Sequence, residues 1–541
     1  MRARILNCFL FAAALCLLCV GCAPKETQAL EAARQGVLII GNGTDPEDLD
    51  PHIITGLPEA HILWGLFEGL VNLDGKTLAP IPGAAERWEV SEDKKTYRFF
   101  LNENAKWSDG VPVSARDFEF SLARALTPSL GSKYAAMLFC IKNARDVFSG
   151  KQAPSALGVK ALDEHTLEIE LERPTAGFLA ILANPIAFPV REDVLRAHGD
   201  PFTRGSRWTR AGNLVSNGPF SLAYWSVNDK VELRKNPHYW DADKVSLNAI
   251  RFLPISDQTT EERAWRAGQL HLTDSIPLNK IDRYRDEPCA RFAPWLGSYY
   301  YIFNTQRPPL DDPKVRRALA LAIDKDAIVR VVLKGAHIPA RHFVPEGTAD
   351  FFPPQTGLGH DPELARRLLA EAGYGADKKE FPSLSILYNT SDMHRPVAQA
   401  VQAMWKKELG IDVALLNVSW GAYLSMRGEG DFDIARASWV ADINDPANFF
   451  ENFRGGNPLN RTSWKSERFD ELLQQAERTD DNARRTRAFA QAEEILDDET
   501  PLIPIFHYNR AYLVRPEVKN WDTNILDQRP LKFVRLEGAQ E

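Results

Sequence analysis

The sequence predicts a multidomain α/β protein, on three observations. Its 541 residues exceed what one hydrophobic core organises, so two or three domains are expected. Hydrophobic content of 44% beside 26% charged residues is that of a soluble globular chain. In the second half, strand and helix periodicities alternate, and one stretch reads strand, helix, strand, which makes its two strands parallel.

The first element is an export segment, residues 1–21. Arg2 and Arg4 precede an apolar run from Ile5 to Val20, short for a membrane span and followed by polar Lys25-Glu26-Thr27-Gln28. Its end, Leu18-Cys19-Val20-Gly21-Cys22, resembles a bacterial lipobox, with Cys19 where Leu is usual. That implies acylation of Cys22 and a lipid anchor to a membrane without any span. A plain secretory cleavage nearby is the alternative. Four of the six cysteines lie in this region; Cys140 and Cys289 remain, and whether they pair is left open. The net charge of −8 gives no basic footprint for nucleic acid.

Residues 22–36 read as a polar tether. Val37–Ile40 is the first strand, and a turn-rich loop then leads into an amphipathic helix carrying Ile62, Leu63, Leu66, Phe67 and Leu70. Tyr97, Phe99 and Leu101 alternate as a strand, and Ser114-Ala115-Arg116-Asp117 caps the helix carrying Phe118, Leu122 and Leu126. Asp361-Pro362 starts a helix that stops at Gly373. Leu384–Tyr388, Arg395–Leu409 and Ile411–Leu416 form the strand–helix–strand unit, so the loop from Asn389 to His394 lies at a strand's carboxyl end, where open α/β sheets bind ligands. Two helices, about 465–478 and 482–497, precede the apolar run Leu502–Tyr508.

The stretch from Asp433 to Pro446 holds the most chemistry. On an extended chain Arg436, Ser438, Val440 and Asp442 share a face, so a cation and an anion lie within roughly 20 Å at about 3.3 Å per residue. A tripeptide spans roughly 7–10 Å between its ammonium and carboxylate on the same rise, a difference that inward-reaching side chains would close. Unpaired backbone groups between them suit strand addition by a peptide. The same residues also fit a surface edge strand whose Asp442 forms an Asx turn. Enzymatic signatures are missing: no H-E-x-x-H, G-x-S-x-G, G-x-x-x-x-G-K-S/T or G-x-G-x-x-G occurs. His337 and His342 stand in a loop-like region with no carboxylate or cysteine to complete a metal set, so they read as surface histidines; neither metal nor cofactor is expected.

Several stretches together resemble the large periplasmic peptide-binding proteins of ABC transporters, solute-binding family 5. They are Ala105-Lys106-Trp107-Ser108-Asp109-Gly110 with Asp117-Phe118, Asn217-Gly218-Pro219-Phe220, Asn236-Pro237-His238-Tyr239-Trp240, and Tyr299-Tyr300-Tyr301-Ile302-Phe303-Asn304 before Asp312-Pro313-Lys314-Val315-Arg316. Within the family, Leu387–His394 and the stretch around Asp442 look most like oligopeptide-binding proteins of the enteric type. The resemblance implies a two-lobed periplasmic-binding-protein fold of type II, in its large three-domain form, closing on ligand by a hinge with crossovers near Ser298 and Tyr508. Residues 37–68, 194–296 and 509–541 would form the core of lobe I, 69–193 its extra domain, and 297–508 lobe II.

Carried over by position, the resemblance implies that Asp442 meets a peptide's ammonium, and Arg436 and His394 its carboxylate. Arg427, Trp439, Ser438, Tyr134, Trp420 and Tyr300 would line the remaining site. Gly297 and Val440 stand where close relatives have a disulfide. Thr55 and Ile302 replace glutamates, the second one facing the position of Arg427. An arginine without that partner favours acidic or neutral peptides, murein tripeptide among them. The implied protein is a monomeric, lipid-anchored extracytoplasmic receptor, delivering short peptides to an ABC permease without catalysis. Alternatives are murein tripeptide as the dedicated ligand, another ligand on the same fold (sugar, metal chelate or haem), and an exported hydrolase.

Overall fold

The computed structural model describes residues 27–175, 177–349, 351–355, 357–375, 379–457, 459–479 and 481–538. The export segment and Cys22 lie outside them.

Val37–Gly41 is buried along its whole length, as a strand covered on both faces requires. It pairs in parallel with Ala249–Leu253, and Lys230–Lys235 and Phe220–Ser226 continue the sheet antiparallel. The preceding stretch is not wholly a tether: Gln28–Arg34 is a helix with Ala29, Ala32 and Ala33 buried. Its apolar face is only alanine, so hydropathy did not announce it. Thr27 caps the helix at Leu30, and the Ala29 N–H donates to the Gly268 carbonyl at 2.8 Å.

The next helix, Leu57–Leu66, ends earlier than its apolar spacing suggests. The Leu66 carbonyl accepts the Gly218 N–H at 2.8 Å, and Asn217 holds the Glu68 backbone through both its N–H (3.0 Å) and its carbonyl (2.8 Å). A Cβ on Gly218 would lie 2.6 Å from the Leu66 oxygen, which explains the glycine. The motif residues Tyr239 and Trp240 converge on the Glu68 carboxylate, Trp240 Nε1 at 2.6 Å. These motifs therefore tie the first lobe together around Glu68.

A separate antiparallel sheet is built from Ala85–Val90, Thr96–Leu101, Thr166–Glu170 and Val159–Ala161. The helix Ala115–Ala125 covers it, with the Asp117 carboxylate accepting from the Ser114 N–H (2.8 Å) and from Trp107 Nε1 (3.3 Å).

The second half is organised by a six-stranded sheet in the order Ile338–Pro339, Leu502–Leu513, Ala290–Phe303, Ile434–Val440, Leu384–Asn389, Val413–Val418. The strand–helix–strand reading holds: Leu384–Asn389 and Val413–Val418 are parallel, joined by the helix His394–Leu409, which stops at left-handed Gly410. Trp405 on that helix is fully buried and donates to the Leu319 carbonyl at 2.8 Å.

Two long strands, Ala290–Phe303 and Leu502–Leu513, join the halves. Ala290 faces Leu513, beside a bridge from Val514 to Leu272 of the first half, while Tyr299–Ile302 pair within the six-stranded sheet. Their register breaks between Pro294 and Ser298. The result is a two-lobed molecule with paired crossovers; one apolar core lies within the second half, and the larger one runs through residues of both halves.

Candidate functional site

Arg436 is the third residue of Ile434–Val440, opposite Tyr301, and lies near the start of that strand. Asp431 and Asp433 bind the Arg307 guanidinium, each at 3.1 Å. Alternation puts Arg436 on the face of Tyr299 and Tyr301, and it is buried there. Its guanidinium carbon sits 5.0 Å from the Tyr299 ring centre, and Nη2 donates to the Tyr508 hydroxyl at 3.3 Å. Nε has no hydrogen-bond partner, and among the described residues no carboxylate pairs with this arginine. A buried cation held only by aromatic rings and one hydroxyl is poorly compensated.

His394 opens the helix at the carboxyl end of Leu384–Asn389 and reaches the same cluster. It is buried, its ring lies 5.5 Å from that of Tyr299, and Nδ1 is unpartnered. Burial, reinforced by the Arg436 charge, pushes its pKa down to about 3. It is therefore neutral at physiological pH, with a free ring nitrogen.

Asp442 lies past the end of the strand, so strict alternation does not extend to it. Its N–H donates to Asn448 Oδ1 at 3.3 Å, and its carboxyl is hydrogen-bonded by Asn448 and the Tyr134 hydroxyl. Burial pushes the carboxyl up to about 7, and the two hydrogen bonds only partly offset this. Among the described residues no cation pairs with it. The turn is braced by Asp445, whose two oxygens each accept from Arg485 at 2.8 Å.

The other residues spread around this strand. Trp439 is half-buried and donates to Asn448 Oδ1 at 2.9 Å; Ser438 is half-buried opposite Tyr299. Trp420 is 55% exposed and stacks on Tyr423 at 5.4 Å, so it is not core. Arg427 Nη1 meets the Tyr423 hydroxyl at 2.9 Å, and that hydroxyl donates to the Arg436 carbonyl. Tyr300 is buried edge-on to Phe343 at 4.9 Å, on the opposite face from Arg436. Thr55 is exposed and Ile302 buried. Gly297 and Val440 face each other directly across the strand pair.

Asn448 was not singled out from the sequence, and Tyr299 and Tyr508 stood there only as a motif residue and a crossover position. The run of tyrosines was the one sequence signal that pointed toward this cluster. The histidine reading is corrected too. His342 is buried, with Nδ1 3.0 Å from Asp497, and Glu493 completes a trio whose ligand atoms lie within 4.8 Å of one another. Glu493 is already engaged by the N–H groups of Phe343 (2.5 Å) and Val344 (3.3 Å). His337 stacks on Phe506 at 4.6 Å. Cys140 and Cys289 are both free thiols. A cavity of about 40 Å³ in the first lobe is lined by His61, Asp274, Arg510 and Asp527, but Arg510 pairs with Asp274 (3.2 Å) and Asp527 (3.0 Å), so its charges are satisfied internally.

A two-lobed α/β fold with paired crossovers, and a buried arginine and a buried carboxyl that lack charged partners among the described residues, is an arrangement suited to a ligand-binding protein. The chain belongs to the bacterial extracellular solute-binding proteins, family 5, whose middle region matches residues 79–461. It is 38% identical over 499 residues to the periplasmic oligopeptide-binding protein OppA of Salmonella typhimurium, covering 90% of each chain. Against the periplasmic murein peptide-binding protein MppA of Escherichia coli it is 38% identical over 489 residues, 89% of each. The solved structure of the E. coli murein tripeptide binding protein superposes with a TM-score of 0.82 at 37% identity, covering 92% of this chain and 98% of that one. Solute-binding proteins of this family are receptors, not enzymes. Among the described residues no helix is long and apolar enough to cross a membrane.

Proposed function

We propose that this protein is the peptide receptor of an ABC importer, anchored by lipid on Cys22 and handing short peptides to a membrane permease. One observation carries this reading. A single strand and its turn present a buried arginine without a carboxylate and a buried carboxyl without a cation, at most roughly 20 Å apart by strand rise. A zwitterion completes both. Asp442 takes the peptide's ammonium, with Tyr134 closing over it from the other lobe. Arg436 and neutral His394 take the carboxylate, His394 through its free ring nitrogen. Backbone of the extended ligand pairs by strand addition, and Ser438, Trp439, Trp420, Tyr300 and Arg427 shape the side-chain pockets. We place the lobe I core at 37–68, 194–296 and 509–541, its extra domain at 69–193 and lobe II at 297–508; the receptor works as a monomer without catalysis.

The names of the relatives, oligopeptide-binding and murein peptide-binding, support peptides as the ligand class. Murein tripeptide is the second reading, favoured by Arg427, which has no carboxylate partner among the described residues. Native mass spectrometry of protein purified gently from cells tests both. Co-purified peptide masses are expected, muropeptide masses select the second reading, and a sugar, chelate or haem mass would overturn both. Incubation with a tripeptide checks the hydrolase alternative: appearance of cleavage products would replace the receptor reading.

A further inference from the structure

The short helix Ala447–Phe450 follows the Asp442 turn, and Asn448 on it reaches back to the strand. Its backbone is fixed on both sides. The Asn448 N–H donates to the Asp445 carbonyl at 3.0 Å, and Asp445 is itself held by Arg485. Buried Asn452 donates to the Asn448 carbonyl at 3.2 Å, and the next two residues, Phe449 and Phe450, are fully buried. The Asn448 side chain is therefore delivered to one place. Its Oδ1 accepts from two groups that can only donate, the Trp439 indole N–H at 2.9 Å and the Asp442 backbone N–H at 3.3 Å. That fixes which way round the amide sits. With the oxygen committed to those donors, the NH2 group is the end that meets the Asp442 carboxyl. Tyr134, from the first half of the chain, makes the other hydrogen bond to that carboxyl, and burial keeps its phenol protonated. Among the described residues no charged side chain bears on the carboxyl, and Asp445, the nearest acid in sequence, is paired with Arg485. One side chain thus ties together the aromatic wall, the turn backbone and the acid, which takes an amide's donor and acceptor ends together.

We propose that Asn448 is the positioning residue of the ammonium site, holding the Asp442 carboxyl and the Trp439 ring in one fixed arrangement for a ligand's ammonium. This rests on the peptide-receptor reading and adds to it the residue that makes its anchor rigid. Because the amide donates to the carboxyl, it favours the carboxylate over the acid and offsets part of the burial penalty. A side chain without that donor leaves the carboxyl holding its proton to higher pH, so an arriving ammonium has more of a proton to displace.

The test is calorimetry of Ala-Ala-Ala binding to ligand-stripped full-length protein at pH 7 and pH 8, in buffers of different ionisation enthalpy, which counts the protons released. With the carboxyl at about 7, the parent should release roughly half a proton at pH 7. Asn448→Leu should release close to one, and should lose about fivefold in affinity at pH 7 but only about twofold at pH 8. Asn448→Asp keeps the shape and the acceptor for Trp439 and the turn, and sets two carboxyls around one proton. It too should release close to one proton at pH 7, so the count stands even where the leucine variant fails to fold. Proton release equal to the parent's in the folded variants overturns the proposal. An affinity loss of the same size at both pH values also overturns it, making Asn448 a brace of the turn alone. If the parent binds Ala-Ala-Ala and releases no proton at pH 7, the ammonium is met elsewhere; the proposal falls and the peptide receptor stands. If the parent binds neither Ala-Ala-Ala nor longer alanine peptides, both fall.

Discussion

At Asp442, burial without a neighbouring cation raises the carboxyl to about 7, against an unfolded value near 4. The folded, unliganded state therefore holds this proton more tightly than the unfolded chain, and the group's contribution to stability falls as pH rises from about 4 to about 7. Under the proposed function, ligand binding at Asp442 has the opposite sign. An ammonium favours the carboxylate, so below pH 7 it must displace a proton. Tripeptide affinity should weaken by up to about tenfold per pH unit from pH 7 down to 5, and Asp442→Asn should flatten that slope in calorimetry. His394, already neutral with its pKa near 3, adds nothing in that window. Arg436→Gln should weaken tripeptide binding by about ten- to a hundredfold. The unliganded variant should melt no lower than the parent, because an unpaired buried cation is itself unfavourable. A large drop in melting temperature would mean that the arginine is structural. The charges themselves were readable from the chain, since residue type and alternation place Arg436 in a strand. Their surroundings were not. Asn448 reaches both Trp439 and Asp442 only because the turn at Asp445 folds back, and no local pattern encodes that.

At the level of elements, strand–helix–strand order and the cap at Gly410 were legible because apolar periodicity and glycine conformation are local properties. What failed depended on partners remote in sequence. The helix Leu57–Leu66 stops where Asn217 and Gly218 seize its carboxyl end, and Gln28–Arg34 folds because the first sheet offers a surface narrow enough for alanine. The His342–Glu493–Asp497 trio joins residues about 150 positions apart, as the hydrogen bond from Phe343 to Glu493 records. The helix His394–Leu409 positions His394, and Trp405 locks it to the second core. Trp405→Ala should cost about 3–5 kcal/mol in chemical denaturation, through the cavity and the lost hydrogen bond together.

Across the whole molecule, the two lobes meet through few polar contacts. Tyr134 binds Asp442, and Arg173 approaches Glu477 at 3.3 Å, the latter half in solvent and weak. Polar contacts this few leave the balance between open and closed arrangements responsive to a ligand bound between the lobes. Saturating tripeptide should therefore shrink the radius of gyration measured by small-angle scattering. Tyr134→Phe should weaken binding by about two- to tenfold without changing the melting temperature of the unliganded protein. No change in radius on binding would place the closure outside the binding cycle. The two-lobed plan was legible only through many short motifs in fixed order. The motifs around Glu68 and Asp117 turn out to brace one lobe, while the Tyr299–Asn304 run lies beside Arg436 and His394.

Gly297 and Val440 face each other across the strand pair beside the site, and Cys140 and Cys289 are free. Among the described residues, then, nothing in the fold waits on the formation of a disulfide. The chain can mature wherever it is unfolded long enough to collapse, and reductant should leave its melting temperature where it was. A receptor built this way keeps working when the oxidising power of its surroundings fails.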